Sequence, residues 1–139
     1  MDTAKLRETI QAVEGLRLTP YEDTTGHISI GYGYNLSSRG ISETIADWLL
    51  NDALVEAEHG IQQGWPSFTA LDDVRQRALV EMGYNMGVHG VLQFRRMLHA
   101  LAIQDWKTAA AEVLNSQAAN LLPSRYHRLS IMIESGEDV

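Results

Sequence analysis

The hydrophobic pattern of the chain changes from helical to strand-like within EGLRLTPYEDTTGHISIGYGYNL, residues 14–36. Ahead of this stretch, apolar residues of segment 3–13 recur at helical spacing and predict a short amphipathic helix that ends at Glu14-Gly15. Inside it, the turn-forming residues 23–26 precede a regular alternation of apolar with small or polar residues at positions 27–34. The sequence therefore predicts a helix, a tight turn and a strand of a small antiparallel sheet.

A connecting helix is predicted after the strand. Residues 36–41 are expected to form a loop, and Ser42 is the expected cap of a helix that continues to about Glu58. The spacing of its apolar residues predicts that four of them face inward: Ile45, Trp48, Leu49 and Ala53.

The remainder of the chain predicts a helical bundle. Glycine and proline interrupt the helical pattern at residues 60–69, after which Asp72 and Asp105 are expected helix caps and Pro123 suits the first turn of a last helix. The predicted fold class is α+β and mostly helical, with a small antiparallel sheet lobe joined by a helix to a helical-bundle lobe.

Length and composition restrict the classes of protein that fit this chain. With 139 residues and 45% hydrophobic content, one domain is expected. The chain contains no cysteine, which excludes a disulfide scaffold and a thiolate metal site. Its five histidines lack the spacing of metal ligands, so we predict no metal site.

The charge balance argues against polyanionic partners. The chain holds 11 Lys and Arg against 18 Asp and Glu, a net charge of −7, and residues 1–60 hold 4 against 10. Phosphate binding needs clustered basic residues, so neither nucleic acid nor an anionic membrane is an expected partner. No apolar run of about 18 residues predicts integral membrane association, and the N-terminus lacks the apolar stretch of a signal peptide, so we expect synthesis in the cytoplasm.

Two carboxylates in the first stretch suit acid/base chemistry. Hydrolysis of a glycosidic bond needs one carboxyl group that stays protonated and another that stays ionised. Glu14 ends an amphipathic helix, where partial burial would raise its pKa, whereas Asp23 lies in a polar turn that would keep it charged. Such a pair also arises by chance, so solvated surface carboxylates remain the alternative.

The surrounding residues resemble the active-site segment of phage-type lysozymes, the muramidases of glycoside hydrolase family 24. The family pattern is E-G-x-x-L-x-x-Y-x-D-x-x-G-x-x-T-x-G-x-G, and one position departs from it, where Ser29 replaces threonine. Two further segments are similar to the family's central helix, VRQRALVEMGYNMGVHGVLQFRRML at 74–98, and to its C-terminal segment, NLLPSRYHRL at 120–129. The matching residues of the first segment are Glu14, Gly15, Leu18, Tyr21, Asp23, Gly26, Gly31 and Gly33.

The resemblance implies a fold and a catalytic group. It implies a single lysozyme domain over 1–139, with a small lobe at about 14–60 and a helical lobe formed by 1–13 and about 61–139. Glu14 would be the general acid, and Asp23 with the Ser29 hydroxyl would hold the attacking water in an inverting reaction. Arg125 would pair with the acid and orient it.

The resemblance also implies how a sugar is bound. Tyr84 and Asn85 stand where the family has an aromatic residue and an amide that line the sugar site. Tyr34 stands where the family often has histidine, and its phenol is expected to reach the acidic centre or a sugar. Gly33 belongs to the same substrate-binding set.

Three departures from the family distinguish this chain. Ser29 keeps the hydroxyl of threonine but loses the methyl group that stiffens the side chain, so we expect reduced or normal activity. The loop at 36–41 is shorter than the family's connection, which predicts a more open groove. The acidity of residues 1–60 contrasts with the basic surface of many relatives and predicts weaker attraction to anionic cell-wall polymers at low salt.

Two functions follow as expectations. The first is a muramidase, or endolysin, that cleaves the β-1,4 bond between N-acetylmuramic acid and N-acetylglucosamine, with peptidoglycan as partner and no cofactor; lytic transglycosylation is its enzymatic variant. The second is a non-catalytic peptidoglycan-binding or structural descendant. In either case we expect a monomer that acts on the cell wall after release or delivery.

Overall fold

The computed structural model describes all 139 residues and confirms the predicted α+β class. Its three strands are β1 (Arg17–Glu22), β2 (Ile28–Gly31) and β3 (Tyr34–Asn35). Its α-helices are α1 (Thr3–Glu14), α2 (Leu36–Arg39), α3 (Glu43–Gly64), α4 (Asp73–Met86), α5 (Val88–Leu92), α6 (Arg95–Ala102), α7 (Trp106–Leu114), α8 (Gln117–Leu121) and α9 (Pro123–Ser135), with a 3-10 helix at Pro66–Ala70. None of these helices combines the length and hydropathy that a membrane-spanning helix needs.

The chain divides into two compact units, Met1–Trp48 and Leu49–Val139. The first unit contains α1, the sheet and α2, and the second contains the helices from α4 to α9. Helix α3 begins in the first unit and continues into the second.

Helix α1 has the predicted ends. The Asp2 side chain accepts a hydrogen bond from the backbone N–H of Lys5 at 3.0 Å and caps the first turn. Gly15 follows the last helical residue, Glu14, with a φ of 70°, a conformation that glycine adopts without steric cost.

The sheet is antiparallel in the order β1-β2-β3, and its last strand corrects a prediction. The alternation that predicted one strand through Tyr34 is interrupted, because Gly31 and Gly33 have positive φ angles of 67° and 70° and the chain reverses between them. Tyr34 therefore lies on the separate strand β3, opposite Ile30.

The predicted loop at 36–41 is also partly wrong, because Leu36–Arg39 form the short helix α2. The side chain of Asn35 accepts from the backbone N–H of Ser38 at 3.0 Å and starts this turn. Gly40 ends it with a φ of 59°.

Helix α3 continues to Gly64, six residues beyond the predicted end at Glu58. A Cβ atom at Gly60 would lie 2.7 Å from Val88 of α5, and one at Gly64 would collide with Leu92 in the same way. Both glycines therefore let α5 approach the backbone of α3 closely, and they do not break the helix.

Three of the four residues predicted to face inward on α3 are exposed, and the fourth, Ala53, is half-buried. Trp48 is 69% exposed and Leu49 is 58% exposed. The buried residues of α3 are Ala57 and Ile61, which pack on Gly83 of α4 and leave the earlier turns of α3 outside this core.

The second unit holds the hydrophobic core, and every buried apolar residue lies between Ala57 and Ile133. Buried Arg75 ties three of its helices together. The guanidinium of Arg75 donates to the backbone carbonyls of Ile133 and Glu134 at 2.7 and 2.9 Å and lies 3.9 Å from the ring of Trp106. Asp72 and Asp105 cap α4 and α7, and Pro123 occupies the first turn of α9, as predicted.

Candidate active site

Glu14 is the last residue of α1 and lies against the backbone of Gly33. A Cβ atom on Gly33 would be 2.6 Å from Oε2 of Glu14, so the carboxylate occupies the space that any other residue's side chain would fill. The expected partial burial of Glu14 is absent, since its side chain is exposed and Ser29 is the one buried residue of the first unit. The carboxylate nevertheless lies close to the backbone of Gly33.

Asp23 is held by its own turn. Its Oδ1 atom accepts hydrogen bonds from the Thr25 backbone N–H at 2.8 Å, the Thr25 hydroxyl at 2.8 Å and the His27 backbone N–H at 2.9 Å. The bond from the His27 backbone, followed by the bond from the Thr25 hydroxyl, lowers the pKa of Asp23. The carboxylate therefore stays ionised, as the polar turn predicts.

Ser29 is buried in the middle strand of the sheet. It stands opposite Tyr21 of β1 and Asn35 of β3, so these three side chains share one face of the sheet. The hydroxyl that would complete a water site therefore has a rigid backbone support.

The phenol of Tyr34 forms a hydrogen bond to a residue nearby in the sequence. The hydroxyl donates to the backbone carbonyl of Gly40 at 2.7 Å, and the Arg39 guanidinium lies 4.8 Å from the ring. These contacts fasten α2 to the sheet. The expected contact of the phenol with an acid or a sugar stays a prediction.

A cavity of about 800 Å³ lies in the second unit, between α3, α4 and α9. Its wall combines apolar side chains such as Leu54 and Val80 with Glu81, Tyr84 and Arg125. Tyr84 is 51% exposed, so its ring is available for stacking against a flat ligand.

Asn85 is positioned by a buried tyrosine. The hydroxyl of Tyr126 donates to Oδ1 of Asn85 at 2.8 Å, and burial raises the pKa of this tyrosine, which keeps its proton in place. This bond uses the amide oxygen and leaves the amide nitrogen of Asn85 with two donors for another group.

The sequence comparison with known families decides the affiliation of the chain. The profile of a family described as phage lysozyme matches residues 11–124. The chain belongs to the phage lysozyme family. The match includes Glu14, Asp23 and Ser29 and ends one residue before Arg125, so the role of this arginine rests on the similarity of segment 120–129.

Individual relatives agree with this affiliation. The chain is 26% identical over 162 aligned positions to the "Probable T4-type lysozyme 1" of Dictyostelium discoideum, covering 96% of this chain and 95% of the relative. It is 26% identical to the "Pre-baseplate central spike protein Gp5" of Enterobacteria phage T4, of which it spans 28%. A lysozyme-type function is therefore supported.

The alignment with the T4-type lysozyme 1 leaves gaps in this chain. Because the alignment has 162 positions and the chain has 139 residues, at least 23 positions have no counterpart here.

Sequence reasoning missed several residues that surround the family's motif positions. Thr25 and His27 hold Asp23, and Glu81 of α4 pairs with Arg125 and Arg128 of α9. The turn sequence could have indicated the first contacts, because aspartate commonly accepts from backbone two residues on. No sequence signal joins Glu81 to α9, since these residues meet through the packing of two helices.

The arrangement offers acid/base and hydrogen-bonding groups. No three His, Asp or Glu side chains come together as a group that could hold a metal ion. Glu14 with Gly33, and Asp23 with its turn, lie in the first unit, whereas Tyr84, Asn85 and Arg125 lie in the second. The roles assigned to all eight site residues stay predictions.

Proposed function

We propose that the protein is a muramidase that hydrolyses the β-1,4 bond between N-acetylmuramic acid and N-acetylglucosamine in peptidoglycan. The observation that carries the proposal is the pair Glu14 and Asp23, which keeps the spacing of the phage lysozyme motif within the matched residues 11–124. The name of the Dictyostelium relative, a probable T4-type lysozyme, supports the same activity.

In this proposal Glu14 is the general acid. It donates its proton to the oxygen of the leaving sugar as the glycosidic bond breaks. The contact with Gly33 supports this role, because a proton donor must stay within hydrogen-bond reach of the scissile oxygen and the glycine leaves room for its carboxyl group.

Asp23 and Ser29 act on the nucleophile. The ionised Asp23 accepts a proton of the attacking water while the Ser29 hydroxyl orients the same water, and the anomeric configuration is inverted. The lowered pKa of Asp23 supports this division of labour, since a general base must be unprotonated at the working pH. The proposed reaction needs neither metal nor cofactor.

The remaining predicted residues bind and orient. Tyr84 would stack on a sugar ring and the free amide nitrogen of Asn85 would donate to a sugar oxygen, while Arg125 would pair with the acid. The exposure of Tyr84 supports its stacking role, and the role of Arg125 rests on its place in the similar segment 120–129.

The decisive experiment is the clearing of purified peptidoglycan by the wild type and by Glu14→Gln. The substitution removes the acidic proton while keeping the size of the side chain, so we expect the rate to fall at least about a hundredfold. Glu8→Gln makes the same change six residues earlier on α1 and should clear like the wild type.

Each alternative outcome would contradict the proposed function in a different way. Undiminished clearing by Glu14→Gln would refute the acid. Binding of peptidoglycan without clearing by any form would identify a non-catalytic binding module. An anhydro-sugar product in place of a reducing end would indicate lytic transglycosylation, in which no water is used.

A further inference from the structure

Three side chains of the turn before β2 form a series of hydrogen bonds, here called the Asp23 relay. The Thr25 hydroxyl lies 2.8 Å from Oδ1 of Asp23 and 2.7 Å from Nδ1 of His27. The backbone holds the ends of the turn together, because the N–H of Asp23 donates to the carbonyl of His27 at 2.8 Å. The whole relay lies within the first unit.

The direction of the hydrogen bonds in the relay follows from the number of protons. Hydrogen bonds from the His27 backbone and the Thr25 hydroxyl lower the pKa of Asp23, so its carboxylate is ionised and can only accept. A hydroxyl has one proton, and at 2.8 Å from a carboxylate oxygen this proton must point at Oδ1 of Asp23. The Nδ1 atom of His27 must therefore carry the proton of the second hydrogen bond and donate it to the Thr25 oxygen.

The position of the imidazole proton decides where the Thr25 hydroxyl points. A neutral imidazole carries its proton on one of its two ring nitrogens. With the proton on Nε2, the bare Nδ1 of His27 would accept the Thr25 proton, and Oδ1 of Asp23 would lose a donor. Only an Nδ1–H on His27 directs the Thr25 proton to Asp23.

The two oxygens of Asp23 have different surroundings. Oδ1 accepts all three hydrogen bonds of this side chain, from the Thr25 hydroxyl and from the backbone of Thr25 and His27. Oδ2 accepts none, since its distance of 3.9 Å from Nδ1 of His27 is too long for a hydrogen bond. The side chain of Asp23 is 30% exposed, so Oδ2 is the oxygen that remains available to a water molecule.

No other ion pair of the first unit competes with the relay. The contact of His27 with Asp23 is the one ion pair of this unit. The arginines of the neighbouring elements lie over tyrosine rings instead, Arg17 of β1 over Tyr21 and Arg39 of α2 over Tyr34. The surroundings of Asp23 are therefore set by its own turn.

We propose that His27 is a positioning residue, whose Nδ1–H directs the Thr25 proton to Oδ1 of Asp23 and leaves Oδ2 as the oxygen that accepts a proton of the attacking water. The inference rests on the proposed function, in which Asp23 is the general base. His27 touches neither substrate nor water in this scheme, and its effect on the reaction passes through Thr25.

The test compares His27→Phe with His27→Asn. Phenylalanine keeps a ring but has no N–H, so the pKa of Asp23 measured by NMR should rise. The acidic limb of the profile of kcat/KM against pH reports the base of the free enzyme. On soluble glycan strands this limb should move to higher pH, with kcat/KM on it about two- to fivefold lower, the size of effect that one exposed hydrogen bond supports. The plateau should be unchanged.

Two further variants give the controls. Asparagine offers an amide N–H in place of Nδ1 without a positive charge, so His27→Asn should restore the wild-type profile. His59→Phe removes another exposed histidine, which is hydrogen-bonded to Gln63 on α3 at 3.2 Å, and should change neither the pKa of Asp23 nor the profile.

A double-mutant cycle separates the relay from a direct effect of the imidazole charge. In a Thr25→Val background, His27→Phe should not change the pKa of Asp23 further, because the group through which it acts is gone. Equal changes in both backgrounds would overturn the inference, and so would a failure of His27→Asn to restore the profile. An imidazole ¹⁵N spectrum with the proton on Nε2 and a bare Nδ1 would overturn it as well. A lower Tm with an unchanged pKa of Asp23 would reduce His27 to a residue that stabilises the turn.

The same series distinguishes failure of this inference from failure of the proposed function. An active wild type and an inactive Glu14→Gln, together with an unaltered profile in His27→Phe, would refute the role of His27 alone. A wild type that releases no reducing ends would refute the muramidase, and with it the role of Oδ2 as a base. The NMR titration of Asp23 tests the hydrogen bonds of the relay independently of activity.

Discussion

The two carboxylates of the first unit differ in the number of groups that hold them. Asp23 accepts three hydrogen bonds on one oxygen, which lowers its pKa, whereas Glu14 is exposed and lies against Gly33. The turn residues Thr25 and His27 therefore favour the charged form of Asp23, whereas Glu14 has no hydrogen-bond partner and lies where Gly33 leaves room for it.

Removing the Thr25 hydroxyl should change the pKa of Asp23. Thr25→Val removes the hydroxyl donor, so the pKa of Asp23 should rise towards its ordinary value. A carboxyl whose pKa is lowered on folding stabilises the fold above its unfolded pKa and loses this contribution as the pH falls through the folded pKa. The variant should therefore be less stable than the wild type near neutrality and equally stable in strong acid.

The pKa is measured by an NMR pH titration of the Asp23 side chain. The free energy of unfolding is measured by denaturation near neutral pH and in strong acid. Thr24→Val changes the neighbouring residue of the same turn, from which Asp23 accepts no hydrogen bond, and should leave the titration unaltered. An unchanged pKa in Thr25→Val would show that the backbone bonds alone hold the carboxylate ionised.

Gly33 and Gly31 form a matched pair for testing the position of Glu14. Both have positive φ angles, 70° and 67°, so alanine at either site should cost about 1–2 kcal/mol of stability. A Cβ atom meets Glu14 at Gly33 and meets nothing within 4 Å at Gly31. Gly33→Ala should therefore slow clearing about tenfold to a hundredfold, whereas Gly31→Ala should slow it far less.

Unfolding measurements with peptidoglycan clearing assays of the two variants decide this prediction. Equal clearing rates at equal stability would mean that the carboxyl group of Glu14 works equally well when displaced.

The motif positions were predictable from the sequence, and their partners were not. Glu14, Asp23 and Ser29 stand at fixed spacing along a short segment, so a pattern identifies them. The contacts of Glu14 with Gly33 and of Glu81 with Arg125 and Arg128 depend on chain reversal and helix packing, which no local pattern encodes. The expectation that Glu14 is partly buried was wrong. Amphipathic spacing on α1 does not say how much of the helix the rest of the first unit covers.

Helix α3 contains two glycines that the sequence wrongly indicated as the end of the helix. Glycine lowers helix propensity, which predicted an interruption from residue 60 onward. The structure uses Gly60 and Gly64 inside the helix because the absence of side chains lets Val88 and Leu92 of α5 pack against its backbone. The helix signal at α4, α7 and α9 came from residues at their N-termini, and there the predicted starts were right.

Gly60→Ala tests this packing against helix propensity. Propensity alone would stabilise the helix by about 1 kcal/mol, whereas a Cβ atom 2.7 Å from Val88 introduces overpacking that costs about 1–3 kcal/mol. We expect a net loss in the free energy of unfolding in urea. In a Val88→Ala background the same change should be neutral or stabilising, and a stabilised Gly60→Ala single variant would contradict the close contact.

At the scale of the whole molecule, net charge affects how the protein approaches its proposed substrate. Its net charge is −7, and the polymer that it is proposed to cleave is also anionic. Repulsion between them reaches about 30 Å at 0.01 M salt and about 8 Å at 0.15 M. Adding salt over this range should therefore raise the initial rate of peptidoglycan clearing.

A variant with fewer negative charges provides the control. Glu8→Lys with Glu137→Lys changes two exposed residues and raises the net charge from −7 to −3, so its rate should respond less to salt. A wild-type rate that falls steadily with salt would show that local positive groups such as Arg125 govern the encounter.

The confinement of the buried apolar residues to the stretch from Ala57 to Ile133 has a consequence for biosynthesis. The ribosome delivers Glu14 and Asp23 first, several seconds before the side chains that form the core, at about 5–20 residues per second. The part of the chain that carries the proposed chemistry is therefore synthesised before the hydrophobic core can form. We expect nascent chains stalled near residue 60 to be digested rapidly by protease, and resistance to appear once α9 has left the exit tunnel.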